Sequence, residues 1–268
     1  MTGPAGSSRP IALITGGSAG IGLALARCFA RGGFDLVLVA RGEAALAAAG
    51  DELRASGSRV TALAADLSRP EEVGRLLQRL HEARLEPDVL VNNAGFGAAG
   101  PFASSDASTA LDMIGVNITA LTALTRGVLP GMLARGAGRI LNVASTAAFQ
   151  PGPYLAVYYA SKAYVLSFSE AIAEELHGSG ISVTTLCPGP TETRFAARAG
   201  MTTSRAFRSG VTMTAEQVAR AGYAGTMRGA RIVVPGAANR LLAAMVRFAP
   251  RRVVTRVAGR LNRGRDGS

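Results

Sequence analysis

Thr15-Gly16-Gly17-Ser18-Ala19-Gly20-Ile21-Gly22 decides the fold of this chain, because of what stands on either side of it. Residues 11–15 before it form a short apolar run of the kind that a buried parallel strand shows. Residues 19–31 continue from it as a helical segment rich in alanine and leucine. Glycines between a strand and a helix let the backbone turn tightly and come close to a diphosphate, which the free N–H groups and dipole at the helix N-terminus attract. The natural ligand of such a turn is a dinucleotide. A glycine-rich turn by itself is also an ordinary tight connection, and the flanking strand and helix are what raise it above that.

Outward from this turn the same alternation repeats. Candidate strands fall at 11–15, 35–40, 59–63, 88–91, 138–144, 180–186 and 230–234, with helical segments at 19–31, 43–56, 69–84, 105–134, 156–178 and 214–228. Short strands alternating with longer helices predict βαβ units. The expected fold is α/β, a doubly wound Rossmann-type parallel sheet of about seven strands with helices on both faces. Residues 1–236 are expected to form one domain, followed by a basic amphipathic helical tail at 237–268. Residues 190–213 form the one long stretch without clear periodicity, and a segment like that in a compact domain is often a lid or binding loop.

Composition narrows the chemistry. At 268 residues and 48% apolar the chain can bury a full core. Cys28 and Cys187 lie far apart and the first nine residues lack a long apolar run, so a cytoplasmic protein without disulfides is expected. Two histidines and no cysteine cluster leave neither a zinc site nor a Ser-His triad with its ingredients, so the chemistry is expected to be metal-free. No apolar run of about 18 residues free of charges marks a membrane span. The net charge of +11 is mostly local, since 239–268 carries eight arginines and one aspartate. No aromatic interleaving accompanies those arginines, which argues against nucleic acid.

The second strand ends Val39-Ala40-Arg41. An acidic residue near this point would bind a ribose 2′-hydroxyl, whereas an arginine accepts a 2′-phosphate. Arg41 therefore favours NADP(H) over NAD(H).

Three further strings follow strand ends: Asn92-Asn93-Ala94-Gly95, Ser145, and Pro188-Gly189-Pro190-Thr191-Glu192-Thr193. The remaining string is Tyr158-Tyr159-Ala160-Ser161-Lys162, which holds the chain's only lysine among 29 cationic side chains. A Tyr-x-x-x-Lys pair shares one helix face. With the glycine turn, this order and spacing resemble the short-chain dehydrogenase/reductase family over about residues 9–236.

The resemblance implies a catalytic tetrad of Asn117, Ser145, Tyr158 and Lys162. It implies cofactor contacts from Gly16, Ser18, Gly20, Ile21 and Gly22 in the glycine loop, and from Asp66 and Leu67 on the adenine. Asn93, Ala94 and Gly95 line the adenosine side, Pro188, Gly189 and Thr191 belong to the segment after the sixth strand, and Thr193 holds the carboxamide. Ala19 departs from the pattern, since many NADP-dependent members carry a basic residue there, so Arg41 and Ser18 must bear more of the 2′-phosphate recognition. In the family the lysine also hydrogen-bonds the nicotinamide ribose, the asparagine holds a water that links the lysine to bulk, and the assembly is a homodimer or homotetramer.

The residue types suit carbonyl reduction. Hydride transfer leaves alkoxide character on oxygen, so an acid must supply a proton there, and a tyrosine can do so in a dry site. Lys162 is expected to lower the phenol's pKa, and Ser145 to donate to the substrate oxygen. Tyr159, three residues before Lys162, is the adjacent rival, and the family pattern chooses Tyr158. The expected function is NADP(H)-dependent reduction of a ketone or aldehyde, or oxidation of the secondary alcohol. A 3-oxoacyl-thioester reductase of lipid metabolism and a non-catalytic cofactor-binding scaffold recruited by its tail stand as alternatives.

In the tail, Arg252, Arg256 and Arg260 recur every four residues, with Val253, Val254, Val257 and Leu261 on the other side. Leu241, Leu242, Met245 and Phe248 repeat the pattern before Pro250. Such amphipathic helices either pack their apolar face on the domain or on a second subunit, or make a peripheral contact with an anionic membrane through 239–268.

Overall fold

The structure, a computed structural model, describes residues 9–193 and 212–263. Most of the stretch at 190–213 expected to form a lid or binding loop, with its apolar side chains Phe195, Met201 and Phe207, lies outside the described residues.

Seven parallel strands make the main sheet: β1 (Ile11–Thr15), β2 (Asp35–Ala40), β3 (Val60–Ala64), β4 (Val89–Asn92), β5 (Gly138–Val143), β6 (Ile181–Leu186) and β9 (Ile232–Val233). Their order is β3-β2-β1-β4-β5-β6-β9. The helices between them are α1 (Gly20–Arg31), α2 (Glu43–Ala55), α3 (Pro70–Glu82), α4 (Ala107–Ile114), α5 (Leu121–Arg135), α6 (Ala156–Glu175) and α7 (Ala215–Met227). β1 pairs with β2 on one side and β4 on the other, so the winding reverses there and a crevice opens beyond the strand carboxyl ends.

The strands read as continuous apolar runs because both faces are covered. Ala12 and Ile14 of β1, with Leu36 and Leu38 of β2, pack under α1, α2 and α7. Leu13, Val37 and Val39 point to the opposite core, where Val73 and Leu76 of α3 and Leu124 and Val128 of α5 meet them. Side-chain alternation along each strand thus divides one run between two cores.

The helix expected at 105–134 is one run, Ala107–Arg135, but it changes pitch at a π turn, Gly115–Ala120, between α4 and α5. By length and composition it is the one helix among the described residues that would cross a membrane. Here it is a core helix, with Val116, Ala120, Leu124, Val128 and Met132 buried against the sheet.

The stretch at 190–213 is tied at its two ends. β7 (Thr191–Glu192) pairs in parallel with β8 (Met213–Thr214). Thr214 then starts α7 through a capping box, its hydroxyl accepting from Gln217 N–H while the Gln217 side chain accepts from Thr214 N–H. The tail forms two helices, α8 (Ala237–Val246) and α9 (Arg251–Asn262).

Candidate active site

All the site residues singled out in the sequence except Gly22 and Asn117 line one cleft of about 1720 Å³ at the strand carboxyl ends. The loop after β1 forms its floor. Gly16 and Gly20 take φ of +65° and +55°, values that suit glycine. α1 then begins at Gly20, with Ala19 at the N-cap offering no side-chain cap and with no acidic residue in the first turn. Its first N–H groups and its dipole are left to an anion, and a diphosphate fits this cradle.

The cradle is braced from below. Thr15 Oγ1 accepts from the N–H groups of both Asn93 and Ala94 at 3.0 Å, and Asn93 Nδ2 donates to Thr15 O at 2.9 Å. Gly22 faces inward at this junction, where a Cβ would lie 2.2 Å from Gly16 O and 2.4 Å from Asn93 Nδ2. Gly22→Ala is therefore expected to cost about 1–3 kcal/mol by overpacking and to weaken dinucleotide binding at least about tenfold. Thermal melting and a cofactor titration check it, and wild-type values in both would remove the glycine from the cradle.

Arg41 is exposed on the cleft rim beside Ala40 and Gly42, within electrostatic reach of Asp66. Burial pushes the Asp66 carboxyl up, but hydrogen bonds from Ser68 N–H and Oγ–H, with the charges of Arg41 and Arg69, bring it below the usual range.

Tyr158 and Lys162 lie one turn apart on the buried face of α6, 8% and 5% exposed. Ser145, at the end of β5, hydrogen-bonds Tyr158, and its Oγ accepts from Ala147 N–H at 3.1 Å. Burial pushes the Tyr158 phenol up to about 12, against the lowering effect of the Ser145 bond. Lys162 Nζ donates to Val143 O at 2.9 Å and stands 5.8 Å from the Tyr158 ring centre, so the ammonium is turned to the sheet. Burial in turn brings Lys162 down to about 8.

Asn117 sits in the π turn, 1% exposed. Its Nδ2 donates to Phe96 O at 3.0 Å and to Ser161 Oγ at 2.9 Å, and its Oδ1 accepts from Phe96 N–H at 3.1 Å. It therefore fastens the loop at Phe96, just after Gly95, to α6. Gly95 fits between Asn117 and Lys162, since a Cβ there would stand 2.8 Å from Asn117 Oδ1 and 3.3 Å from Lys162 Nζ.

The rival tyrosine lines the same cleft, but its hydroxyl is engaged by the tail. Tyr159 Oη donates to Asn262 Oδ1 at 3.2 Å, so it braces the tail. Asn262 also donates to Pro153 O at 3.1 Å, and it escaped the sequence reading because nothing local marks a contact 103 residues away. Among the described residues no group of three or more His, Cys, Asp or Glu could hold a metal.

A model of the short chain dehydrogenase family matches residues 10–206. The chain is similar to the ketoacyl reductase HetN of Nostoc sp., 34% identical over 190 residues that make up 71% of this chain and 64% of that protein. It superposes on a short-chain dehydrogenase from Sphingobium yanoikuyae in complex with NADPH with a TM-score of 0.78 and 37% identity, covering 89% of this chain and 93% of that one. A short chain dehydrogenase/reductase from Burkholderia phymatum in complex with NAD gives a TM-score of 0.80 at 30% identity, with coverage of 90% and 92%.

Proposed function

This chain belongs to the short-chain dehydrogenase family, and from that premise we propose that it is an NADP(H)-dependent oxidoreductase that reduces a ketone or aldehyde, Tyr158 acting as the general acid. The observation that carries this reading is a buried phenol, hydrogen-bonded to Ser145, in the same cleft as an uncapped glycine-rich helix start. When bound, the cofactor supplies the hydride.

The chain's own residues do the rest. The turn from Gly16 to Ile21 and the α1 N-terminus hold the diphosphate, and Asn93, Ala94 and Gly95 form the wall that Thr15 stiffens. Ser145 Oγ–H donates to the carbonyl oxygen and polarises it, while Tyr158 gives that oxygen its proton. A phenol held near 12 is protonated at neutral pH, which suits the donor's task in reduction. Lys162 keeps a positive charge beneath the cleft and Asn117 holds the neighbouring backbone in place. Consumption of NADPH with a panel of carbonyl compounds tests the reading, and no oxidation of NADPH above background with any of them would sink it. Ketones head that panel because of the HetN likeness.

Preference for NADPH rests on Arg41. A charge-assisted bond to a phosphate contributes about 1.5–3 kcal/mol. Arg41→Ala is accordingly expected to lower the NADPH-to-NADH ratio of kcat/KM about 10- to 100-fold, chiefly by raising the KM for NADPH. An unchanged ratio would remove Arg41 from phosphate recognition.

The family resemblance supports a homodimer or homotetramer, and Cys28 and Cys187, both buried and unpaired, support a cytoplasmic setting. Phe248, 90% exposed beside Arg247 and Arg251, supports a peripheral contact with an anionic membrane as a second use of the tail. Light scattering and co-sedimentation with phosphatidylglycerol vesicles measure the two, and a monomer absent from the vesicle pellet would remove both.

A further inference from the structure

The tail lies beyond the residues matched to the family, yet it forms a wall of the active-site cleft. Both ends are pinned. Asn239, 4% exposed, donates to Pro235 O at 2.9 Å and fills the space beside Gly189, where a Cβ would meet its amide at 2.5 Å. Asn262, 5% exposed, ties the other end to Tyr159 and Pro153.

Between these pins, among the described residues, much of the apolar side of the two helices is left exposed. Leu242, Met245, Val253, Val257 and Leu261 are 58%, 56%, 51%, 47% and 40% exposed, and all five line the cleft that holds Ser145 and Tyr158. An amphipathic helix normally buries such a stripe against its own domain. Here, among the described residues, the stripe lines the cleft, while Arg252, Arg256 and Arg260 lie exposed on the same helix.

We infer that the substrate is a carbonyl compound with an extended apolar chain, its carbonyl at Tyr158 and Ser145 and its chain along the trough lined by α8 and α9. This rests on the oxidoreductase reading and adds a substrate class to it. A second copy or a bilayer is a poorer occupant, because the stripe shares its cleft with a tyrosine only 8% exposed, and a flat or bulky partner does not enter a cleft. The reacting carbonyl must reach that tyrosine, so the part of the molecule left along the tail is the part next to the carbonyl. Short polar carbonyl compounds leave the trough in water and gain nothing from it.

The test uses the full chain, NADPH and 2-alkanones from 2-butanone to 2-dodecanone. kcat/KM is expected to rise about fourfold per methylene until the trough is filled, the ratio that transfer of one CH₂ from water provides. Leu242→Ser/Val257→Ser/Leu261→Ser, at exposed positions, is expected to flatten the rise below about twofold per methylene, with its melting temperature and NADPH Kd reporting an intact fold. A flat wild-type series with measurable reduction overturns the inference. So does a variant that changes the particle mass while the slope stays the same, which assigns the face to a second copy. If neither these ketones nor any compound of the wider carbonyl panel is reduced, the oxidoreductase reading has failed by itself, and calorimetric binding of the same 2-alkanones to the NADPH complex decides about the trough. Affinity that grows with chain length and is lost in the triple variant supports it; affinity independent of length overturns it.

Discussion

Tyr158→Phe is expected to lower kcat for ketone reduction by about 10²- to 10⁴-fold, the usual contribution of a positioned proton donor, with NADPH Kd within about twofold of wild type. The phenyl ring keeps its place against Met113, Ala147 and Leu155, so the change removes one oxygen from a packed site. What is lost is a proton that Ser145 helps to aim and that burial holds on the phenol up to about 12. The sign of the pH dependence follows. Reduction needs the neutral phenol, which is present throughout the neutral range, so this group gives it no acid-side limb. Oxidation of the alcohol needs the phenolate, so its rate is expected to climb with pH across about 7 to 10. The variant should lose that climb together with the rate, measured as NADP⁺ reduction with a secondary alcohol. Retention of a tenth or more of wild-type kcat would move the proton donor elsewhere, with Tyr159 the first place to look.

The parts legible in the sequence are those set by local periodicity. β1 and β2 stand out because a strand covered on both faces reads as a nearly continuous apolar run, and α6 because Tyr158 and Lys162 repeat at one turn. The π turn at Gly115–Ala120 was not legible, since a change of pitch inside an apolar helix leaves the composition unaltered. Thr15 was visible only as part of the glycine turn; its two accepted bonds depend on β4 lying beside β1. The tail's amphipathic spacing announced two helices but not their neighbour. That neighbour is set by Asn239 and Asn262, whose partners are backbone carbonyls and a phenol with no sequence signature. Spacing along α6 places the ammonium near the phenol, but its bond to the Val143 carbonyl at 2.9 Å depends on β5 lying against the helix and has no sequence signature.

Lys162→Arg should reduce kcat about 100-fold or more although it preserves charge. The ammonium is enclosed: 5% exposed, bonded to Val143 O, and 3.3 Å from where a Gly95 Cβ would stand. A guanidinium is larger and planar, and in this space it must push back the Gly95 wall that faces the cleft. Overpacking of that kind costs about 1–3 kcal/mol, which lowers the melting temperature by roughly 2–10 °C. The pH profile separates charge from fit. Burial leaves the wild-type ammonium titrating at about 8, so kcat/KM for reduction should decline as pH rises through that value and the charge is lost. A guanidinium does not titrate in this range, so whatever activity the variant keeps should lack the decline. Normal kcat in the variant would mean that the site needs only a positive charge at this position. A decline that persists would mean that the titrating group in the wild-type profile is not Lys162.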